Sequence, residues 1–388
     1  MFASRTNWDL KPNRLAEALA SHKSSGRKLL DLTASNPTEC GFRYNAASII
    51  RALCNPASLQ YHPDARGLKT AREAVTDYYS AHSIQVATED LFLTVSTSEA
   101  YSYVFRLLCD PGDELLIPTP SYPLLDFLAD VNDVKLTRYA LFYDYGWHID
   151  LHALKQAVTS RTRGIIVVHP NNPTGHFTKP DEIAALNAIC SANNMAIIAD
   201  EVFLDFPLTS APPGSFAANT AALTFTMSGV SKISGLPQMK FAWLAVNGPA
   251  DLKREALARL ELIADTYLSM NAPIQLAAPV LLQHSAAFQR QLMARVRRNL
   301  EELDKQLSSQ SQVSRLEIEG GWYAVLRVPA TRSDEDLALE LLEKQDVYVH
   351  PGHFYDFPGD GYLVLSLITP EQEFAEGVKR ILSFHLER

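Results

Sequence analysis

The sequence has few cysteines, and they are not arranged as a metal or disulfide site. Cys40, Cys54, Cys109 and Cys190 are widely spaced in a chain of 388 residues and lack the C-x-x-C spacing of zinc and redox sites. Buried, reduced thiols are the simpler interpretation, because disulfides persist mainly in oxidising compartments. No metal is therefore expected.

The chain also lacks a basic region and a long apolar run. Its 35 lysines and arginines are outnumbered by 44 acidic residues, which gives a formal net charge of -9. A protein that binds nucleic acid needs a basic face to neutralise phosphates, so nucleic acid is not an expected partner. No stretch approaches the roughly 18 apolar residues of a membrane helix, and residues 1–10 do not resemble a secretory signal. We therefore predict a cytoplasmic protein without a membrane partner.

Hydrophobic residues make up 47% of the chain, which is enough for a large core. From residue 91, apolar stretches alternate with helical patterns, and strands are predicted at 91–95, 114–118, 164–168, 194–199 and 223–227. This alternation is typical of an α/β domain with a mostly parallel sheet flanked by helices. A second set of short strands and helices follows at 313–388. We predict a large domain over residues 50–285 and a smaller α+β domain made of residues 1–49 and 286–388.

Chemically useful side chains follow five of these strands. In chain order they are Thr97 with Ser98, Tyr122, Asn172, Asp200 and Lys232. The carboxyl ends of parallel strands meet at one edge of a sheet, where open α/β sheets bind ligands. The sequence therefore predicts one ligand site built from all five loops.

Lys232 lies among small residues in Ser228-Gly-Val-Ser231-Lys232-Ile-Ser-Gly235. Loss of solvation there would lower the pKa of its amine and favour imine formation with an aldehyde. Lys240, eight residues later, is placed to neutralise a phosphate. Taken by itself, a Ser-Lys pair is more often part of a solvated loop, here one that carries two ordinary lysines, because short motifs match by accident.

The other positions each have a structural alternative. Thr97 and Ser98 open a helix, where free N–H groups can bind an anion, although simple N-capping explains hydroxyls there as well. Asp200 directly follows a buried strand, so its carboxylate should have a cationic or N–H partner. Prolines stiffen the loop of Tyr122, which can stack on a planar ligand. Tyr61 is either a packed aromatic residue or a contact to something outside its own domain.

Together these residues resemble the class I/II aminotransferases, which are fold-type-I enzymes that use pyridoxal phosphate, and the resemblance covers nearly the whole chain. It implies that Lys232 is the Schiff-base lysine and that Asp200 pairs with the pyridine nitrogen. It also implies that Asn172, in Asn172-Pro-Thr-Gly175, binds the 3′ oxygen of the cofactor. The cofactor-binding residues that it implies are Tyr61, Thr97, Ser98, Tyr122, Asn172, Asp200, Ser231, Lys232 and Lys240.

The same resemblance implies a homodimer with shared active sites, because Tyr61 matches the tyrosine that reaches the phosphate of a neighbouring subunit. Its functional implication is a transaminase that acts on a small-molecule amino donor and a keto acceptor. Two alternatives stay open: a lyase or decarboxylase on the same fold, and a non-catalytic ligand-binding protein.

Several residues depart from the family pattern. Val364 stands where Gly-Tyr-x-Arg-Leu-Ser has the arginine that clamps the substrate α-carboxylate. In the cofactor site, Phe203 replaces a tyrosine, Lys240 an arginine, Gly229 a phosphate-loop serine and Ser96 a glycine. The substrate site is therefore expected to be atypical: either another cation replaces the arginine, with Arg43, Arg327 and His353 as candidates, or the substrate lacks an α-carboxylate.

Overall fold

A computed structural model of the chain describes residues 1–123 and 125–386. The helices are α1 Arg14–Ser24, α2 Ala46–Leu53, α3 Lys69–Ala81, α4 Thr97–Leu108, α5 Leu125–Val131, α6 Leu151–Ala157, α7 Pro180–Asn193, α8 Val230–Ile233, α9 Ala250–Tyr267, α10 Ala272–Gln283, α11 Ser285–Leu307, α12 Asp334–Gln345 and α13 Glu371–Leu386. The strands are β1 Leu30–Asp31, β2 Leu91–Thr94, β3 Glu114–Thr119, β4 Lys135–Tyr143, β5 Trp147–Ile149, β6 Thr162–Val168, β7 Ala196–Asp200, β8 Thr224–Gly229, β9 Ala242–Asn247, β10 Ser314–Arg315, β11 Tyr323–Arg327, β12 Val347–Tyr348, β13 His350–Pro351 and β14 Tyr362–Ser366. Among the described residues, no helix is long and apolar enough to cross a bilayer.

The larger sheet has eight strands in the order β2-β9-β8-β7-β6-β3-β4-β5. The pairs β8 with β7, β7 with β6, β6 with β3 and β3 with β4 are parallel. Strand β9 is antiparallel to both β2 and β8, so β2 runs in the direction of the parallel set. The predicted α/β class with a mostly parallel sheet is confirmed, and the five loops with candidate residues leave the same edge of the sheet.

The central strands of this sheet are covered on both faces. Ile165 and Ile166 in β6, and Ile197 and Ile198 in β7, are fully buried. Strands buried on both faces read as continuous apolar runs, which explains why both were recognisable in the sequence. Each such side chain stabilises the fold by about 1.5–3 kcal/mol relative to an exposed one. The candidate site therefore lies at the ends of strands that are packed on both faces.

The smaller sheet is antiparallel, in the order β10-β11-β14-β13. A separate parallel pair, β1 with β12, joins the N-terminal segment to the C-terminal part of the chain. This pairing supports a smaller domain made from both termini. The boundaries at residues 49 and 285 stay a prediction.

Gly175 allows the loop after β6 to pack against the segment before β11, beside the candidate site. Its φ is +73°, and a Cβ atom there would lie 2.7 Å from the carbonyl oxygen of Gly320. Only glycine tolerates both the left-handed backbone and this close approach. The contact holds the segment before β11 against the loop of Asn172, and it thereby places Trp322 at the site.

A half-buried ion pair between His82 and Asp205 anchors the chain just after β7. His82 Nε2 lies 3.0 Å from Asp205 Oδ1, and His82 Nδ1 lies 2.8 Å from the carbonyl oxygen of Tyr78. Both partners accept hydrogen bonds, so both ring nitrogens must carry protons. The hydrogen bond to Asp205 is the main cause that raises the pKa of His82 to about 9.

We expect His82→Ala to destabilise the protein by roughly 1 kcal/mol near pH 6, since the imidazolium is partly exposed and screened. The folded pKa of about 9 lies above the unfolded value of 6.5. The stabilisation is therefore complete below the unfolded value and is lost as the pH rises through about 9. Urea unfolding at pH 6 and pH 10 measures this, with His152→Ala as an exposed control. An equal loss at both pH values would show that the pair is not ionised.

Candidate active site

Lys232 lies in the short helix α8, directly after β8. Its Nζ atom is 5.7 Å from the centroid of the Phe203 ring and 5.2 Å from that of Trp322. Loss of solvation is the main cause that lowers the pKa of the Lys232 amine to about 8, against the opposing field of Asp200. At neutral pH a useful fraction of this amine is therefore free to act as a nucleophile.

Asp200 is the last residue of β7 and has the N–H partner that the sequence requires. Its Oδ1 accepts from the Val202 N–H at 3.2 Å, and its Oδ2 accepts from the Tyr101 hydroxyl at 3.2 Å. Burial raises the pKa of Asp200 to about 6, opposed by these two hydrogen bonds and by Lys232. The carboxyl group is therefore mostly ionised at neutral pH.

The neighbouring carboxyl group, Glu201, belongs to the support of the site. Its oxygens accept from the Ser215 hydroxyl at 2.5 Å and the Phe216 N–H at 2.6 Å. Burial raises the pKa of Glu201 to about 8. Of the two adjacent acids, Asp200 is thus the one that interacts electrostatically with Lys232.

The first turn of α4 lies at the same edge of the sheet. Ser96 is the N-cap residue, and its Oγ accepts from the Glu99 N–H at 3.2 Å. Capping by Ser96 leaves the N–H groups of Thr97 and Ser98, in the first turn, without partners inside the helix. These groups, with the positive end of the helix, fit a phosphate.

The structure describes the surroundings of Gly229 and Lys240, two positions at which the sequence differs from the family pattern. A Cβ atom on Gly229 would lie 2.9 Å from both the Ala242 Cβ and the Phe241 carbonyl oxygen, so a serine there would clash with β9. Lys240 is exposed and has a left-handed backbone, with φ of +51°. Ser231 is half-buried next to Lys232.

Asn172 supplies a buried polar group with no partner. The residue is 8% exposed, and its Oδ1 has no hydrogen-bond partner in the described part of the chain. An orphaned buried amide is costly unless a ligand satisfies it. Together with the amine of Lys232, the carboxylate of Asp200 and the helix end at Thr97, the Asn172 amide makes a set of polar groups that fits pyridoxal phosphate.

The two aromatic candidates, Tyr122 and Tyr61, are more exposed to solvent than Asn172. Tyr122 is 44% exposed, in a loop whose Ser121 N–H donates to the carbonyl oxygen of Tyr355 at 2.9 Å. Tyr61 is 77% exposed, and no contact joins it to Lys232 within the described residues. A single chain therefore does not bring Tyr61 to the other candidates.

Val364 lies in β14 and is 1% exposed. It pairs with Val325 on one side and with His350 on the other. The three cations proposed to replace the arginine, Arg43, Arg327 and His353, are all exposed. Arg327 pairs with Tyr362, so it lies at the far end of the ladder from the cofactor site.

Sequence reasoning missed Tyr101, Trp322, His350 and Tyr355. Tyr101 could have been found, because it lies one helical turn after Thr97 and so shares its face of α4. The position of His350 depends on the register of the smaller sheet, which the sequence does not display.

The sequence model of the family described as aminotransferase class I and II matches residues 28–381. The glutamate-pyruvate aminotransferase AlaA of Haemophilus influenzae is 26% identical over 371 residues, which cover 93% of this chain and 92% of that protein. AlaA of Escherichia coli K12 is 30% identical over 277 residues, 71% of this chain and 68% of that protein.

Solved structures of aminotransferases share the fold of this chain. An alanine aminotransferase from Pyrococcus furiosus superposes with a TM-score of 0.90 at 22% identity and full coverage of both chains. An aminotransferase from Escherichia coli superposes with a TM-score of 0.86 at 25% identity, covering 100% of this chain and 98% of that one. The fold, the donor set and the match over residues 28–381 agree, and the chain belongs to the class I and II aminotransferases as a transaminase that depends on pyridoxal phosphate.

Proposed function

We propose that this enzyme transfers an amino group from a small-molecule donor to a keto acceptor, with Lys232 and Asp200 as catalytic residues and no arginine at the substrate anchor. The observation that carries the proposal is the position of Lys232, directly after β8, and of Asp200, at the end of the neighbouring parallel strand β7, where the two side chains interact electrostatically. The absence of the anchor is supported by Val364, which is buried in an apolar strand environment.

Bound pyridoxal phosphate supplies an electron sink for negative charge on the substrate carbon. Asp200 presents an anion to the pyridine nitrogen, and the Tyr101 hydroxyl and Val202 N–H fix its two oxygens. Asn172 is assigned to the 3′ oxygen and Tyr122 to the ring face. The first turn of α4, with Thr97 and Ser98, is assigned to the phosphate, helped by Ser231 and Lys240.

Lys232 has the acid–base role. With the cofactor bound, its Nζ atom would accept the proton from the substrate α-carbon and would return it to the cofactor carbon that receives the amino group. The rings of Phe203 and Trp322 exclude water around Nζ and hold its pKa near 8, within about one unit of neutral pH. This amine can therefore both accept and return a proton.

A half-reaction without keto acceptor tests the proposed function. A transaminase retains the amino group as pyridoxamine phosphate and releases one keto product per site. A lyase or a decarboxylase would return the aldehyde form and release ammonia or carbon dioxide instead, and that product set would contradict the proposal.

We also propose a homodimer with shared active sites, in the cytoplasm. Large apolar side chains are exposed around α9 and the segment before α3, including Leu59, Leu262 and Leu268 at 90%, 73% and 65% exposure. A groove of about 250 Å³ in this region is lined by Tyr61, Leu268 and Met270, among others. Exposed apolar patches of this kind mark interaction surfaces.

The four cysteines are unpaired, which supports the proposed location in the cytoplasm, a reducing compartment.

Mixed dimers test whether Tyr61 acts across the interface. Tyr61→Ala and Lys232→Ala are each assayed at limiting cofactor and then mixed under conditions that exchange subunits. If Tyr61 serves the partner's site, one of the two sites in each hybrid is intact, and about a quarter of the sites in the mixture recover. If Tyr61 serves its own chain, every site keeps a defect and the mixture stays as inactive as its parents.

A further inference from the structure

The proposed function leaves open what occupies the space where the family binds a carboxylate. Resting on that function, we propose that the site beside Val364 takes an amine that carries an uncharged hydrogen-bonding group, such as an alcohol or an amide, in place of the α-carboxylate. The recognition elements are Val364, His350 and Tyr355.

The strand register brings these residues together. Val364 is directly opposite His350 in β13 and Val325 in β11. Residues directly opposite in an antiparallel pair project to the same face. The family position of the arginine is therefore flanked on its face by a valine and a histidine.

Tyr355 extends this face toward the ring-stacking loop. Its hydroxyl lies 3.0 Å from His350 Nδ1, and its carbonyl oxygen accepts from the Ser121 N–H next to Tyr122. Burial raises the pKa of Tyr355 well above its ordinary value, with Tyr323 and Tyr122 as further causes. A neutral phenol is thus held beside His350, in a turn that is bonded to the loop of Tyr122.

Among the described residues that flank Val364 in the sheet, no side chain offers a positive charge to a carboxylate. Burial lowers the pKa of His350, and the opposing effect of Asp31 is smaller, so its imidazole is neutral at physiological pH. Arg138, the cation bonded to the turn of Tyr355, is already paired with Asp126 and Asp356. A carboxylate placed here would lose its solvation without a partner.

An uncharged polar group would find hydrogen-bond partners at this site. The Tyr355 hydroxyl and the His350 imidazole can each donate or accept, depending on which atom carries the shared proton. Ser121 Oγ is buried and lacks a partner among the described residues, so it adds a third neutral donor or acceptor near Tyr122. These groups suit an alcohol or amide, which needs hydrogen bonds but no counter-charge.

The test compares L-alanine, L-alaninamide and L-alaninol, which share one carbon skeleton and differ at the group in question. Single-turnover rates are followed by the absorbance of the bound cofactor, at equal concentrations of free amine. We expect the amide and the alcohol to react at least about 10-fold faster than alanine, because only the carboxylate loses solvation without a partner.

Three variants assign the preference to these residues. Val364→Arg should shift the preference toward alanine, and Val364→Leu, which changes shape without charge, should not. Tyr355→Phe should slow the amide and the alcohol by about 10-fold and leave alanine nearly unchanged. Thermal midpoints identify a variant that fails to fold, and Tyr355→Phe still decides the question if Val364→Arg is lost.

A binding measurement completes the test without turnover. Calorimetry on the holoenzyme with propionamide and propionate, which carry no amine, should show tighter binding of propionamide. Faster reaction with alanine, or tighter binding of propionate, would overturn the inference while the transaminase function stands. Failure to form pyridoxamine phosphate from any amine would instead contradict the proposed function, and the calorimetry would still decide the inference.

Discussion

Lys232→Ala should lose turnover by at least about 10⁴-fold, because one residue supplies both the nucleophile and the proton-transfer group. The fold should survive, since α8 is a single short turn whose neighbours Val230 and Ile233, not Lys232, are buried in the core. Steady-state kinetics measures the loss, and the thermal midpoint reports the fold.

Lys240→Ala is the matched control, because it removes a second lysine from the same stretch. Lys240 is exposed, and the first turn of α4 still offers its N–H groups to a phosphate. We expect this variant to weaken cofactor retention with turnover at saturating cofactor reduced by no more than about 10-fold. Equal losses in the two variants would contradict the assignment of Lys232.

The second large effect is expected for Asp200→Ala. The pyridine nitrogen would lose its anionic partner, and removal of one preorganised electrostatic group of this kind costs about 10²–10³-fold in turnover. The loss should persist at saturating cofactor, since it concerns chemistry and not retention. Steady-state turnover, measured beside that of Lys240→Ala, tests this order.

Tyr101→Phe separates direct from indirect effects at Asp200. It removes the hydroxyl that donates to Asp200 Oδ2 but keeps the ring. Its effect on turnover should be smaller than that of Asp200→Ala, with a shift in the acid limb of the pH profile. A loss as large as that of Asp200→Ala would contradict a merely supporting role for Tyr101 and would show that its hydroxyl is as necessary as the carboxylate.

The sequence predicted the central sheet well where strands are buried on both faces. Strands β6 and β7 are continuous apolar runs, and their loops carry residues whose chemistry is recognisable. Strand β4 was missed, because it alternates buried and exposed positions and includes the polar residues Lys135 and Arg138. Its pairing with β3 is what stabilises it, and that pairing is a tertiary interaction.

The site shows the same division between local and non-local information. Lys232, Asp200 and Asn172 could be predicted as candidates because each follows a strand in a distinctive local sequence. Tyr355 and His350 were not predicted, because their position depends on the pairing of His350 with Val364 and on the hydrogen bond between the Ser121 N–H and the Tyr355 carbonyl oxygen. Val364 could be singled out in the sequence, whereas its neighbours Val325 and His350 became known only from the pairing of the strands.

The identity of the reactive lysine is the central claim, and one measurement tests it directly. The holoenzyme is reduced with borohydride, digested and analysed by mass spectrometry. We expect the reduced pyridoxyl phosphate adduct on Lys232, at about one per chain. An adduct on Lys240 or on any other lysine, with Lys232 unmodified, would contradict it.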